Sequence, residues 1–477
     1  MATFTQKYIR CLLLIASLMN VVTSIKVVLL PSFGTSHLLV MDTIGAELQN
    51  RGHEVVILVE EEQVIPSIRT ATATYAVSDH FSAAVINNLT ASTNNFEVIK
   101  KVMAWQSHYC DCVLSHSQFR RRFSHFDLMI GDRSLPCAYI LPEILNLTYV
   151  IVSSVGLNAP MRLMNSPNPL AYIPQYGTGY SDKMNLLQRT TNTLVWCGHT
   201  IASHIFVYRL IEKLRQEYHV EIDASQLKLK PALMLISADF TLEFARPLMP
   251  NVQLVGPLTP QPPSALPHHL DDFISNVRPY QRFVLVSLGS IFQFSNDQVM
   301  VAYRSLSRLP FKVIWKHSSN LSNNISNDHI RIENWVPQND LLGHPNIVAF
   351  ITHCGPSGMY EGAYHGVPMI GLPYVPEQET NLVQISRAGI GIGLNSTNLT
   401  TDSIYDAVME VVNNPSYKQN ARRISKLLKG RPRTPRHEAV DWIELWLSIL
   451  TTSNVDKAKI RISSGITGQR AYYKLSF

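Results

Sequence analysis

The sequence predicts an α/β protein built on parallel sheets, and three observations carry that expectation. Short apolar runs alternate with segments of helical period along most of the 477 residues, the pattern of a parallel sheet wrapped by helices. A proline-dense stretch interrupts the alternation near the middle, after which it restarts cleanly. The length also suits two domains, each able to bury its own core.

In the first half, 25–31 reads as a buried strand, 37–50 as a helix closed by Arg51-Gly52-His53, and 54–59 as the next strand. Strands at 126–130 and 149–153 continue the series, whereas 155–230, with Pro160, Pro167, Pro169 and Pro174, reads as loops around a helix near 192–216. Pro257, Pro260, Pro262, Pro263 and Pro267 put too many ring-locked residues into 257–282 for a helix or inner strand. Beyond it, strands at 283–287, 311–315, 330–333, 347–352 and 368–372 alternate with helices at 296–308, 356–365, 379–388 and 402–413. A last helix, 436–450, sets Ala439, Trp442, Ile443, Trp446, Leu447 and Leu450 on one stripe and is expected to cross back onto the first domain. The expected division is a leader 1–24, a first domain 25–256, a linker 257–282, a second domain 283–435, the crossing helix 436–450 and a tail 451–477.

Formal net charge is +6 and 16% of residues are charged, against roughly 25% in typical soluble domains. The positive balance is spread thinly, so nucleic acid is not an expected partner. The tail carries Lys457, Lys459, Arg461, Arg470 and Lys474 in a short stretch, a set able to make a peripheral contact with an anionic membrane face. Lys7 and Arg10 precede an apolar run over 11–22, and Val22-Thr23-Ser24 offers small residues for cleavage before Ile25, the layout of a secretory signal. No later stretch reaches eighteen consecutive apolar residues, so a spanning anchor is not expected. Sequons at Asn88, Asn146, Asn320, Asn324, Asn395 and Asn398 agree with a secretory address, in the lumen of the endoplasmic reticulum or outside the cell. Beyond Cys11, the set Cys110, Cys112, Cys137, Cys197 and Cys354 has no metal-like spacing and allows at most two bridges. Nothing in the sequence sets an oligomeric state.

Ligands bind open parallel sheets at the carboxyl ends of strands, and the candidate groups gather there. His353 follows the strand at 347–352, and Gly355-Pro356-Ser357-Gly358 opens the next helix, with Pro356 suited to its first position. The open amides and positive dipole end around Gly355, Ser357 and Gly358 make an anion site to which His353 adds a donor. Ser290, closing Ser287-Leu288-Gly289-Ser290, can donate from the facing loop. Glu361 lies one turn further along, placed to accept from both hydroxyls of a ribose. Trp335, held at a strand exit by Pro337, can stack on a flat base while Gln338 bonds its edge. Glu377 and Gln378 offer a carboxylate and an amide to a sugar. Base, ribose, diphosphate and sugar together describe a nucleotide-sugar.

These residues carry a resemblance. Trp335-Val336-Pro337-Gln338, the run from Asn339 to Pro345, His353 through Glu361, and Glu377-Gln378 to Asn381 resemble the signature of the UDP-glycosyltransferases of glycosyltransferase family 1, the animal UDP-glucuronosyltransferase type. The likeness extends over nearly the whole chain after the leader. It implies the GT-B architecture, two Rossmann-like domains whose parallel sheets face an interdomain cleft, with the acceptor bound by the first domain and a UDP-sugar by the second.

The resemblance also implies a histidine base after the first strand, paired with an aspartate of the same domain. His37, in Pro31-Ser32-Phe33-Gly34-Thr35-Ser36-His37, and Asp132 match those positions. Both fall at strand carboxyl ends of one sheet, and the helix start is expected to keep His37 neutral. Asp132 would hold its tautomer. The implied reaction is inverting transfer of a hexose or hexuronic acid, glucuronate or glucose, from a UDP-sugar to a hydroxyl of a small lipophilic acceptor. His353, Ser290 and the helix start would meet the charge on the departing diphosphate. No cofactor or metal is expected, the UDP-sugar being a substrate and Asp-X-Asp being absent from the chain.

Several positions depart from the family's usual pattern. His353-Cys354-Gly355-Pro356-Ser357-Gly358 stands where His-Gly-Gly-Ala-Asn-Gly is usual, and Glu377 stands where an aspartate is usual. Pro356 removes one amide donor, and the longer Glu377 moves a carboxylate by roughly 1 Å, enough to change which sugar fits. The alternative reading is a UDP-sugar-binding protein of this fold that has lost turnover. A nicotinamide oxidoreductase is disfavoured because the first strand does not lead into Gly-X-Gly-X-X-Gly.

Overall fold

The computed structural model describes residues 24–61, 65, 68–75, 95–157, 166–227, 229–275, 282–290, 292–317 and 328–452. The leader up to residue 23, the sequons at Asn88, Asn320 and Asn324 and the tail cations lie outside the described residues.

The chain begins with β1 (Lys26–Leu30), α1 (Thr35–Asn50), β2 (Glu54–Glu60) and β3 (Ala71–Tyr75). There follow α2 (Asn95–Ser115), α3 (Ser117–Phe123), β4 (Leu128–Asp132), α4 (Cys137–Leu145) and β5 (Thr148–Ser153). A long helix comes next, α5 (Leu186–Ser203) running through a π-turn at His204–Tyr208 into α6 (Arg209–Glu217). Then come α7 (Ala224–Leu227), β6 (Leu233–Ile236), β7 (Val252–Leu254) and α8 (His268–Ser275). The second half holds β8 (Phe283–Ser287), α9 (Asn296–Leu306), β9 (Lys312–Lys316), β10 (Ile330–Glu333), α10 (Gln338–Leu342), β11 (Ile347–Thr352) and α11 (Pro356–His365). It continues with β12 (Met369–Gly371), α12 (Pro376–Arg387), β13 (Gly391–Gly393), α13 (Thr401–Asn413), α14 (Pro415–Lys429) and α15 (Pro435–Thr452).

Two parallel sheets result, ordered β3-β2-β1-β4-β5-β6-β7 and β10-β9-β8-β11-β12-β13. Their strands are apolar on both faces, as a sheet covered by helices on each side requires. Val28 and Leu30 pack into one layer with Tyr139 and Ile151. Val27 and Leu29 face the other way, into a layer with Ile44 and Ile443. In each sheet the strand order reverses between its first strand and the strand beside it, at β1 and β4 and again at β8 and β11. Helices leave to opposite faces there, and a crevice opens at the carboxyl ends.

Three boundaries differ from expectation. β4 ends at Asp132 rather than at 130, because Gly131 and Asp132 still pair with Ile151 and Val152. A helix forms inside the proline-dense stretch: between Pro267 and Pro279 no ring interrupts, Leu270 and Ile274 are buried one turn apart, and the Pro267 carbonyl accepts from the amides of Leu270 and Asp271. α12 starts at Pro376, so Glu377 and Gln378 lie inside its first turn rather than ahead of it. The helix expected near 192–216 is present and longer, and by length and composition it could cross a membrane. It turns Leu186, Leu187, Leu194 and Ile201 outward as a stripe along one side.

The halves are tied together by specific contacts. The Tyr360 hydroxyl on α11 accepts from the Asp239 amide at 2.9 Å and donates to the Asp239 carbonyl at 3.2 Å. Gln384 on α12 donates to Glu243 at 3.0 Å. α15 lays Ala439, Val440 and Ile443 into the core under β1, and Arg51 donates to Glu444 at 2.7 Å. Fully burying an Ile or Val side chain is worth about 1.5–3 kcal/mol, so this helix is held by its apolar face more than by its ion pairs. A disulfide joins Cys110 on α2 to Cys137 at the start of α4.

Removing the Tyr360 hydroxyl strands the buried Asp239 amide, which costs roughly 1–3 kcal/mol. Tyr360→Phe is expected to lower the melting temperature by roughly 2–10 °C. A melting curve superimposed on the parent's would show that this tie carries no weight.

Candidate active site

The first crevice holds His37 and Asp132. His37 sits in the first turn of α1, after Gly34 at φ 95°, a left-handed turn that suits glycine. Asp132 ends β4, and the β1–β4 register, which sets Leu30 opposite Gly131, brings the two side chains together. His37 Nδ1 and Asp132 Oδ2 are 2.7 Å apart. Asp132 is fully buried and has further donors, the Ser134 amide at 2.8 Å and the Ser154 hydroxyl at 2.9 Å. Burial would raise this carboxyl, but His37 and those two bonds hold it below its usual range. For His37, burial alone would lower the imidazole, yet the charge and hydrogen bond of Asp132 outweigh it, with help from Glu377. His37 therefore sits above its ordinary value, which corrects the expectation that the helix start keeps it neutral: a bonded carboxylate at 2.7 Å outweighs a helix dipole end. Commitment of Nδ1–H to Asp132 leaves the lone pair on Nε2.

The second crevice holds His353, Gly355, Ser357 and Gly358. The ring of His353 lies in a slot: a Cβ at Gly289 would come 2.7 Å from it, and one at Gly355 would come 2.4 Å from it. Its Nδ1 is buried without a partner. Burial, with repulsion from Lys316, pushes His353 down to about 4, so at neutral pH it offers a dipole rather than a charge. Cys354 takes a left-handed backbone at φ 63°, which costs a residue with a Cβ roughly 1–2 kcal/mol. Gly355 caps α11 without a side-chain bond and Pro356 takes its first position, so the amides of Ser357 and Gly358 point out of the open first turn. Ser290 lies exposed on the facing loop.

Trp335 is 66% exposed, while Val336 beside it is buried. An indole left in water has a face for a planar ligand. Gln338 and Glu361, expected to contact base and ribose separately, are bonded to each other, Nε2 to Oε2 at 2.6 Å. Burial pushes Glu361 up to about 7, opposed by that bond and by Lys316. Lys316 ends β9 and was missed from the sequence, although a cation at a strand carboxyl end is the signal that should have found it.

Glu377 and Gln378 lie in the first turn of α12, and the charge of Glu377 is felt by His37 and Arg133 of the first half. Gln378 uses Oε1 to accept from the amides of Tyr374 at 2.7 Å and Val375 at 3.3 Å, so that oxygen caps the helix. Glu377 Oε1 is buried without a partner. Burial pushes Glu377 up to about 7, and the charges of His37 and Arg133 oppose it. The first lobe's base candidate and the second lobe's carboxylate thus act on each other across one cleft. Arg246 pairs electrostatically with Glu243. Among the described residues no group of three His, Cys, Asp or Glu could hold a metal ion.

Comparisons with known proteins bear on the family and the fold. The chain is 31% identical over 452 residues to 2-hydroxyacylsphingosine 1-beta-galactosyltransferase of Mus musculus, covering 92% of this chain and 83% of the relative. It is 30% identical over 443 residues to UDP-glucuronosyltransferase 1A1 of Rattus norvegicus, covering 88% and 81%. Among solved structures, the glycotransferase of kitacinnamycin superposes with a TM-score of 0.62 at 18% identity, over 88% of this chain and 99% of that one. Os79 from O. sativa, in complex with U2F and trichothecene, gives 0.62 at 16% identity over the same shares. These structural likenesses fix the fold as GT-B, which the two parallel sheets and their facing crevices also display. The family model described as UDP-glucoronosyl and UDP-glucosyl transferase matches residues 26–448, and the chain belongs to that family of glycosyltransferases.

Proposed function

We propose that the protein transfers a hexose or hexuronic acid from a UDP-sugar to a hydroxyl of a small lipophilic acceptor, with inversion. The observation that carries this reading is the His37–Asp132 pair at 2.7 Å, facing Glu377 of the other lobe. His37 Nε2 takes the acceptor's proton as the oxygen attacks the anomeric carbon from the side opposite UDP. Asp132 holds the tautomer and stabilises the imidazolium that forms. Trp335 stacks the uracil, Gln338 and Glu361 take the base edge and ribose, and Glu377 and Gln378 hold the sugar. The neutral His353, Ser290 and the amides of Ser357 and Gly358 meet the diphosphate with preorganised dipoles. Exposed sequons at Asn146, Asn395 and Asn398 and the Cys110–Cys137 bridge support a secretory-pathway location, in the endoplasmic reticulum lumen or secreted. UDP release from a panel of UDP-sugars with a simple phenol tests the reading. Tight UDP-sugar binding without acceptor-dependent UDP release would favour the binding-protein alternative.

His37→Ala is expected to keep UDP affinity while losing roughly 10²–10⁴-fold in turnover; near-parental turnover would remove His37 from the base role. With donor saturating, the rate should rise with pH as His37 loses its proton. Because Asp132 holds that imidazole up, Asp132→Asn is expected to move this acid limb to lower pH and to depress the plateau. An unmoved limb would contradict the pairing. For His353→Ala, calorimetry should find weaker UDP binding, and an equal dissociation constant would contradict the diphosphate role. Glu377→Asp shortens the carboxylate and should change the ranking of UDP-sugars in the panel; the same ranking would disconnect Glu377 from sugar choice.

A further inference from the structure

Arg133 follows Asp132 directly and is used by none of the steps above. Its side chain is 4% exposed. The guanidinium donates to the Ser153 hydroxyl at 3.1 Å, while its Nε has no partner. Tyr139 and the adjacent Asp132 act on it electrostatically, but the Asp132 oxygens are spent on other donors: Oδ2 takes His37 and Ser154, and Oδ1 takes the Ser134 amide. A buried cation with so few bonds needs an anion within reach. On the opposite wall, Glu377 also presents a buried oxygen without a partner. These two groups are opposite in charge and under-bonded, and they come from different lobes.

We infer that Arg133 is a positioning residue, which acts across the cleft on Glu377 so that this carboxylate meets the donor sugar charged and pointed at it. The inference rests on the proposed sugar-binding role of Glu377. Three groups of the first lobe bear on that carboxylate. Arg133 from the β4 exit and His37 from α1 both favour its charged form. The Tyr176 hydroxyl, in the loop before α5, bonds to the Glu377 backbone. Burial works against the charge, and within the mechanism His37 must lose its own positive charge to act as base. Arg133 is then the cation that stays charged throughout, since a guanidinium does not deprotonate in this pH range.

The test is a double-mutant cycle between Arg133→Gln and Glu377→Gln in the full chain. It is read as the dissociation constant of UDP-galactose by calorimetry at pH 7 and pH 9, with UDP at pH 7 as the check on folding. Glu361 is present in all four proteins, so its titration cancels. Arg133→Gln is expected to weaken UDP-galactose binding about fivefold at pH 7, since a rise of one pKa unit from about 7 cuts the charged fraction of Glu377 from about a half to about a tenth, and much less at pH 9. The loss should vanish in the Glu377→Gln background, and Arg133→Lys should recover most of the affinity, which a purely packing role would not allow. An equal loss in both backgrounds, or one indifferent to pH, overturns the inference. If Glu377→Gln alone leaves UDP-galactose affinity unchanged, it is the sugar role of Glu377 that falls, and the inference with it. Should Arg133→Gln lose UDP binding and so fail to fold, Ser153→Ala removes the anchor but keeps the charge. The same pH-dependent weakening in milder form is then expected, and no weakening overturns the inference.

Discussion

The pairing of β1 with β4 and of β8 with β11 decides where chemistry can occur in this chain. At both places the strand order reverses, so helices leave to opposite faces and the carboxyl ends stand open. Asp132 can accept from His37 only because the parallel register holds Leu30 opposite Gly131. The same logic in the other sheet, with Ser287 opposite Thr352, delivers Ser290 and His353 to one crevice. The two crevices become one cleft through Tyr360 on Asp239 and Gln384 on Glu243, with α15 returning under β1.

Within that cleft burial acts alike on every ionisable group and the neighbours decide the outcome. Asp132 stays ionised because three donors surround it. His37 is drawn toward its cation by Asp132, and His353 is kept neutral by burial and a nearby lysine. Two imidazoles in one protein are thus set apart by what lies next to them, and the proposed reaction would use one as a proton acceptor held in one tautomer and the other as an uncharged dipole.

Much of this was legible from residue order. Continuous apolar runs marked the doubly covered strands, and Gly355-Pro356 marked the start of α11 within a residue of its observed place. The spacing from Trp335 to Gln378 pointed to a nucleotide-sugar site, and belonging to a glycosyltransferase family agrees with it. What residue order could not give was long-range. Gln338 lies 23 residues from Glu361, and nothing local says that their side chains bond. Asp132 looked as though it followed its strand, because propensity is blind to the ladder that carries β4 two residues further. The helix at His268–Ser275 was hidden by the prolines ahead of it, and the weight of Arg133 and Lys316 depends on partners from distant elements.

The slot around His353 has a consequence for how this lineage can vary. With walls at Gly289 and Gly355 closer than any methyl could stand, a side chain at either position would have to displace the imidazole. Codons 289 and 355 are therefore closed to drift even though neither contributes a functional group. Ser290, one step along and exposed, meets no such wall, so what limits that position is the diphosphate contact proposed for its hydroxyl and not the room around it.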